Sequence, residues 1–275
     1  MDKRIFVVVA VIAIVFGFAY LTYQPNSNCS LTLDTKVCSD VPLTELQKWW
    51  DIYLFQPAGK AELYCGLELA SLARISEEGK KIRIESGDTG IYITKNEASI
   101  KGSTDAELLK TCHVFSCIMT DLNCSVKMER ARDIALNLNP INLVMDEELT
   151  GRGLEGMLAI YYALGAINAQ TNAPIHSYIM NGENCSILTI LNESGLTMVS
   201  TNKTFSCDIP GFYLKYGSEN AIIIDDKKVL IIGDDDHIYA GSIIVRDILA
   251  PDLRERLNKL TIPTGDFINA ATPQE

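Results

Sequence analysis

The sequence predicts an α+β protein: an N-terminal transmembrane helix followed by two ββα-containing units, matched as if duplicated and packed as one extracytoplasmic domain. Three observations predict it. An uncharged apolar run lies near the N-terminus, all eight cysteines follow it, and two segments of matching pattern begin 131 residues apart, at Ile91 and Ile222. The expected divisions are a cytoplasmic tip and anchor over 1–23, a linker over 24–41, a first α/β unit over 42–125, a second over 126–260 and a flexible tail over 261–275.

The run Ile5 to Tyr23, IFVVVAVIAIVFGFAYLTY, carries no charge and approaches the ~20 residues that a helix needs to cross the hydrocarbon layer. Lys3 and Arg4 precede it, and Gln24 to Ser30 carry no positive charge, so the Lys/Arg bias places the N-terminus in the cytoplasm and the rest outside. A cleaved signal peptide is the alternative. Against it stand the poor cleavage site at Gly17 and Ala19 and the length of the apolar run.

Past the run, Gln24 to Val41 contains Pro, Asn and Ser and reads as a tether. Pro42 opens a helix in which Thr44 and Gln47 have capping-box spacing, followed by Trp49, Trp50, Tyr53 and Phe55. A second helix is expected from about Lys60 to Ile75.

The first matched segment is IYITKNEASIKGSTDAELLKTCHVFSCI, Ile91 to Ile118, and the second is IIIDDKKVLIIGDDDHIYAGSIIVRDIL, Ile222 to Leu249. Each reads as strand, tight turn, strand, glycine and amphipathic helix. Without a gap, Ile91 meets Ile222, Ile100 meets Ile231, Gly102 meets Gly233 and Asp105 meets Asp236, whereas Phe115 meets Arg246 and breaks the pattern. Thr104 and Glu107 form a capping box ahead of Leu108, Cys112, Phe115 and Met119, and Asp234 or Asp235 caps the helix carrying Ile238, Ile243 and Leu249.

Between the copies the pattern predicts a polar helix near Lys127 to Leu138, a strand Ile141 to Met145, and a helix Leu154 to Thr171 with Leu154, Met157, Leu158, Tyr161 and Leu164 on one face. Strands follow within Ile175 to Tyr216, and the tail after Thr261 reads as loose.

Cys29, Cys38, Cys65, Cys112, Cys117, Cys124, Cys185 and Cys207 form an even set on the outer side, as an oxidising compartment selects. Cys29 with Cys38 and Cys185 with Cys207 are the expected pairs. N-x-S/T occurs at Asn28, Asn123, Asn184, Asn192 and Asn202, so these asparagines are candidate glycan acceptors, and three of the five read Asn-Cys-Ser.

A net charge of −11 opposes binding to nucleic acid. No C-x₂-C pair exists and His113, His176 and His237 are scattered, which argues against zinc. Gly151, Gly153 and Gly156 match G-x-G-x-x-G, but Asp146, Glu147 and Glu148 stand where a pyrophosphate would approach, so no dinucleotide or other cofactor is expected. Asp234, Asp235, Asp236 and His237 are the candidate metal ligands, with Asp225 and Asp226 at the other end of an intervening strand. No set of residues reads as a catalytic constellation.

The segment AIIIDDKKVLIIGDDDHIYAGSIIVRDIL and its earlier counterpart resemble stretches of archaeal cell-envelope, S-layer-like proteins. Taken with the anchor and sequons, that resemblance implies a surface structural or binding protein; the anchor, cysteines and sequons, with no catalytic set, add the expectation of a protein or glycan partner. With the anchor and sequons, the expectation is a membrane-anchored extracytoplasmic module at the cell surface. The alternatives are an extracytoplasmic metal-dependent hydrolase built on the Asp234 to His237 loop and an accessory subunit of a membrane complex.

Overall fold

A computed structural model of the chain describes residues 28–54, 73–75, 81–191 and 197–251. The predicted span Ile5 to Tyr23, the tail after Thr261 and most of the predicted helix from Lys60 lie outside them. Among the described residues, no helix is long and apolar enough to cross a membrane.

The fold is α+β with two mixed sheets. The first holds β1 (Asn28–Thr32), β2 (Thr35–Ser39), β3 (Ala73–Ile75), β4 (Lys81–Ser86), β5 (Gly90–Ile93) and β6 (Glu97–Gly102), in the order β1-β2-β5-β6-β4-β3. The second holds β7 (Asn123–Cys124), β8 (Ile141–Asp146), β9 (Ile175–Asn181), β10 (Asn184–Leu191), β11 (Thr197–Ser206), β12 (Gly211–Tyr216), β13 (Ala221–Ile224) and β14 (Lys228–Gly233). Its order is β11-β10-β9-β8-β12-β14-β13-β7. The helices are α1 (Leu43–Leu54), α2 (Asp105–Met119), α3 (Arg130–Asn137), α4 (Gly151–Thr171) and α5 (Asp235–Leu249).

Three boundaries differ from expectation. Asn28–Ser39 is not a tether but a hairpin whose second strand runs parallel to β5, because Val37 and Cys38 are buried and anchor it to the sheet. Asn123–Cys124, assigned to the first unit, joins the second sheet beside β13. Ala73–Ile75 is a strand against β4 rather than a helix end.

The two matched segments fold alike. In each, a β-hairpin (β5–β6, β13–β14) is antiparallel, and the preceding strand (β4, β12) runs parallel to the hairpin's second strand. The registers agree as well: Lys81 lies opposite Glu97 and Ser86 opposite Gly102, as Gly211 lies opposite Lys228 and Tyr216 opposite Gly233. A further strand, β2 or β7, flanks β5 or β13 in parallel and is followed by α1 or α3, which packs on α2 or α5 respectively. The second unit is widened by β8, α4, β9, β10 and β11 between α3 and β12.

The ungapped alignment is corrected in the helices. Thr104 caps α2 with its hydroxyl accepting from the Glu107 N–H at 3.2 Å, and Asp234 caps α5 by accepting from the His237 N–H at 2.9 Å. The second segment therefore has one residue fewer between glycine and cap. Shifted by that residue, Phe115 meets Val245 rather than Arg246, and Leu108, Thr111, Cys112, Val114, Ile118 and Met119 meet Ile238, Gly241, Ser242, Ile244, Ile248 and Leu249, every one buried. The matched glycines are set by close approach: a Cβ on Gly102 would stand 2.4 Å from the Leu108 nitrogen, and one on Gly233 2.6 Å from His237 Cβ.

One apolar core runs through both units, from Ile91 and Ile100 by way of Phe115 to Ile222, Ile231 and Val245. Every residue of α2 from Thr111 to Met119 is buried, as expected of a helix covered on all sides. It packs on β5 and β6 and also touches α1, α5 and β7.

Candidate functional site

Strands β9, β8, β12 and β14 are parallel, so their carboxyl ends share one rim of the second sheet. From β8 the chain passes through α4 to β9 on one side, while β12 and β14 lie on the other. The rim between β8 and β12 is thus a topological switch point, where open α/β sheets hold ligands. The start of α5 brings the predicted metal ligands to this rim.

The structure sends those four side chains to different partners. Asp234 caps its own helix and also meets His237 Nδ1 at 2.7 Å. Burial opposes ionisation of Asp234, but the His237 backbone and ring outweigh it and hold the carboxyl below its usual range. Asp235 turns inward and accepts from the Tyr216 hydroxyl at 2.5 Å, the Thr150 hydroxyl at 2.8 Å and the Thr150 N–H at 3.4 Å. Asp236 pairs with Arg152 at 3.5 Å, and the Arg152 guanidinium lies 5.4 Å from the Tyr239 ring centroid.

A hard cation needs several oxygens converging at about 2.3–2.6 Å, whereas these carboxylates diverge. Among the described residues no group of three or more His, Cys, Asp or Glu is placed to hold a metal. Asp225 and Asp226 lie at the opposite end of β14, where Asp226 lines a separate cleft of about 370 Å³ with Arg130, Asp133, Asn137 and Lys227. The Asp235 cluster works as a clasp, joining the turn before α4, the end of β12 and the start of α5. Burial, then the facing Asp235 carboxylate, pushes the Tyr216 phenol up, which keeps it a donor.

The G-x-G-x-x-G match has a packing cause. Gly153 and Gly156 lie where α4 meets α5: a Cβ on Gly153 would stand 2.3 Å from Asp235 Oδ1, and one on Gly156 2.9 Å from Ser242 Oγ and 3.0 Å from Tyr239 Cα. The buried face of α4 is accordingly Gly153, Gly156, Met157, Ile160, Ala163, Leu164 and Ile167, while Leu154, Leu158 and Tyr161 pack at its margin. Gln47 is likewise drawn away from a capping role, donating to Asp121 at 2.8 Å.

His113 sits in the buried run of α2 with no partner for Nε2, and burial pushes its pKa down to about 4. His176 is on β9, exposed, with Nδ1 3.4 Å from the Tyr178 hydroxyl.

The cysteines and sequons fit together through strand alternation. The structure pairs Cys29 with Cys38, Cys117 with Cys124 and Cys185 with Cys207; Cys112 is also disulfide-bonded, and Cys65 lies outside the described residues. The first and third pairs are as expected, whereas the second joins the end of α2 to β7 across a tight turn that sequence spacing did not single out. Each described disulfide contains the cysteine of an Asn-Cys-Ser sequon. Successive strand side chains point to opposite faces, so Asn123 and Asn184 are exposed while Cys124 and Cys185 are buried. Asn28 is exposed at the start of β1, Asn202 falls in β11, and Asn192 lies outside the described residues.

Thr150, Arg152 and Tyr216 were not legible as partners of the acidic run, since they come from segments remote in sequence. Comparisons of the chain with protein-family models, curated proteins and solved structures gave no match.

Proposed function

We propose that this chain is a membrane-anchored extracytoplasmic module of a cell envelope, of the archaeal S-layer-like kind, that acts by contact with a protein or glycan partner. The reading places the N-terminus in the cytoplasm and the folded part at the outer surface of the plasma membrane. The observation that carries it is the coupling of disulfides to sequons: each described disulfide includes an Asn-Cys-Ser cysteine, and Asn28, Asn123 and Asn184 beside them are exposed. Disulfides persist in oxidising compartments, and N-linked glycans are added to surface asparagines of exported chains. We further read the two units as a duplication, supported by their equal strand registers and the match of buried helix positions.

The test is non-reducing peptide mass spectrometry on protein taken from native membranes. The expected result is the three linkages together with a glycan on at least one sequon. Free thiols with bare asparagines would overturn the topology and the function built on it.

A further inference from the structure

Among the described residues, strand β1 is the edge of the first sheet, and it has no charged residue. Leu31 within it is 78% exposed, the most exposed of the large apolar side chains among the described residues, and Leu43 at the start of α1 is 48% exposed. Beside β1 a cleft of about 380 Å³ is lined by Asn28, Ser30, Val41 and Leu43 among others.

Only Gln24 to Ser27 separate the predicted span from Asn28. Fully extended, the five residue steps from Tyr23 to Asn28 reach at most about 18 Å. A domain of this size has a radius of gyration of about 17 Å, so the tether is shorter than the domain is wide. The headgroup layer is itself about 5–8 Å deep on each side. With Ile5 to Tyr23 read as a span, the tether keeps Asn28, and with it the start of β1, within about 18 Å of the end of the span.

We propose that the β1 edge, with Leu31 and Leu43, rests on the lipid surface from which the chain emerges; this depends on reading Ile5 to Tyr23 as a span, and it leaves the exposed Asn123 and Asn184, rather than Asn28, as glycan acceptors. The exposed charges around it, Asp34, Asp40 and Asp121 against Lys36 and Lys48, leave no basic excess to draw anionic headgroups, so the occupant is a zwitterionic lipid surface held by apolar contact rather than by headgroup charge.

The experiment reconstitutes the full chain in phosphatidylcholine vesicles carrying a photoactivatable phosphatidylcholine, followed by peptide mass spectrometry. Lipid adducts are expected on peptides covering 28–43 as well as on the span. Combining Leu31→Asp with Leu43→Asp should lower the former several-fold, with span adducts unchanged and the Cys29–Cys38 linkage intact as the check on folding. Adducts confined to residues 5–23 would overturn the docking and leave the anchor standing. Lys36-to-Lys36 cross-links between two copies, without lipid adducts on 28–43, would assign the edge to a second copy and also overturn it. Release of the chain by alkaline wash with no adducts on 5–23 would instead overturn the anchor.

Discussion

His113 is expected to add an acid-sensitive contribution to the stability of the domain that one substitution removes. The ring is buried in α2, its Nε2 has no partner, and burial lowers its pKa from 6.5 to about 4. The folded state therefore binds the proton less readily than the unfolded chain, so stability is intact above pH 6.5 and falls as pH drops toward 4. The shift corresponds to about 3 kcal/mol at pH 4, most of it lost by pH 4.5. The position matched to it in α5, Ile243, is aliphatic and half-buried. His113→Leu should thus be at least as stable as the parent at pH 7, since an unpaired buried nitrogen costs about 1–3 kcal/mol. Between pH 6.5 and 4.5 it should keep about 2–3 kcal/mol that the parent loses. The assay is urea unfolding of the full chain in non-ionic detergent, followed by tryptophan fluorescence at several pH values. Carboxylates held low by their partners, such as Glu107 and Asp234, lose stability in both proteins alike and cancel in the difference. Equal pH slopes for the two proteins over that window would refute the reasoning.

Gly156→Val should lower stability by about 1–3 kcal/mol, since its side chain has no room against Ser242 and the Tyr239 backbone; thermal unfolding reads this, and an unchanged Tm would mean that α4 and α5 pack less closely. Asp235→Ala should cost about 1–3 kcal/mol by leaving the Tyr216 and Thr150 donors unpaired, whereas EDTA or added calcium should leave the parent Tm unmoved; a calcium-dependent rise in Tm would revive a metal role for the rim. Removing the Cys185–Cys207 bridge should cost roughly 1 kcal/mol more than removing Cys117–Cys124, because it closes the longer loop, 22 residues against 7; urea midpoints of the paired Cys→Ser variants check the order.

What could be read from the sequence was whatever depends on local pattern. The hairpins at β5–β6 and β13–β14, the capping of α2 by Thr104, the β8 strand and two of the disulfide pairs follow from alternation, cap chemistry and short spacing. Even the match between the two segments was legible, since each keeps the order strand, glycine, helix. Its register in the helices was not, because the one-residue difference between glycine and cap is silent in the strands and shows only when Val245 is found buried where Phe115 is.

Tertiary structure decided the rest. An acidic run and a glycine triplet look alike in sequence whether they serve a ligand or packing, and only the approach of α4 to α5 showed Asp235 clasped by Thr150 and Tyr216 and Gly156 fitted to Ser242. Likewise, nothing local in Asn28–Ser39 told a tether from a sheet edge, because β2 gains its place by pairing with β5, more than fifty residues on, and carries β1 with it. Sequence fixes which side chains are apolar and which turns are feasible at each point along the chain. Which remote groups meet is set by how the two units share one core, and that is a property of the packed whole.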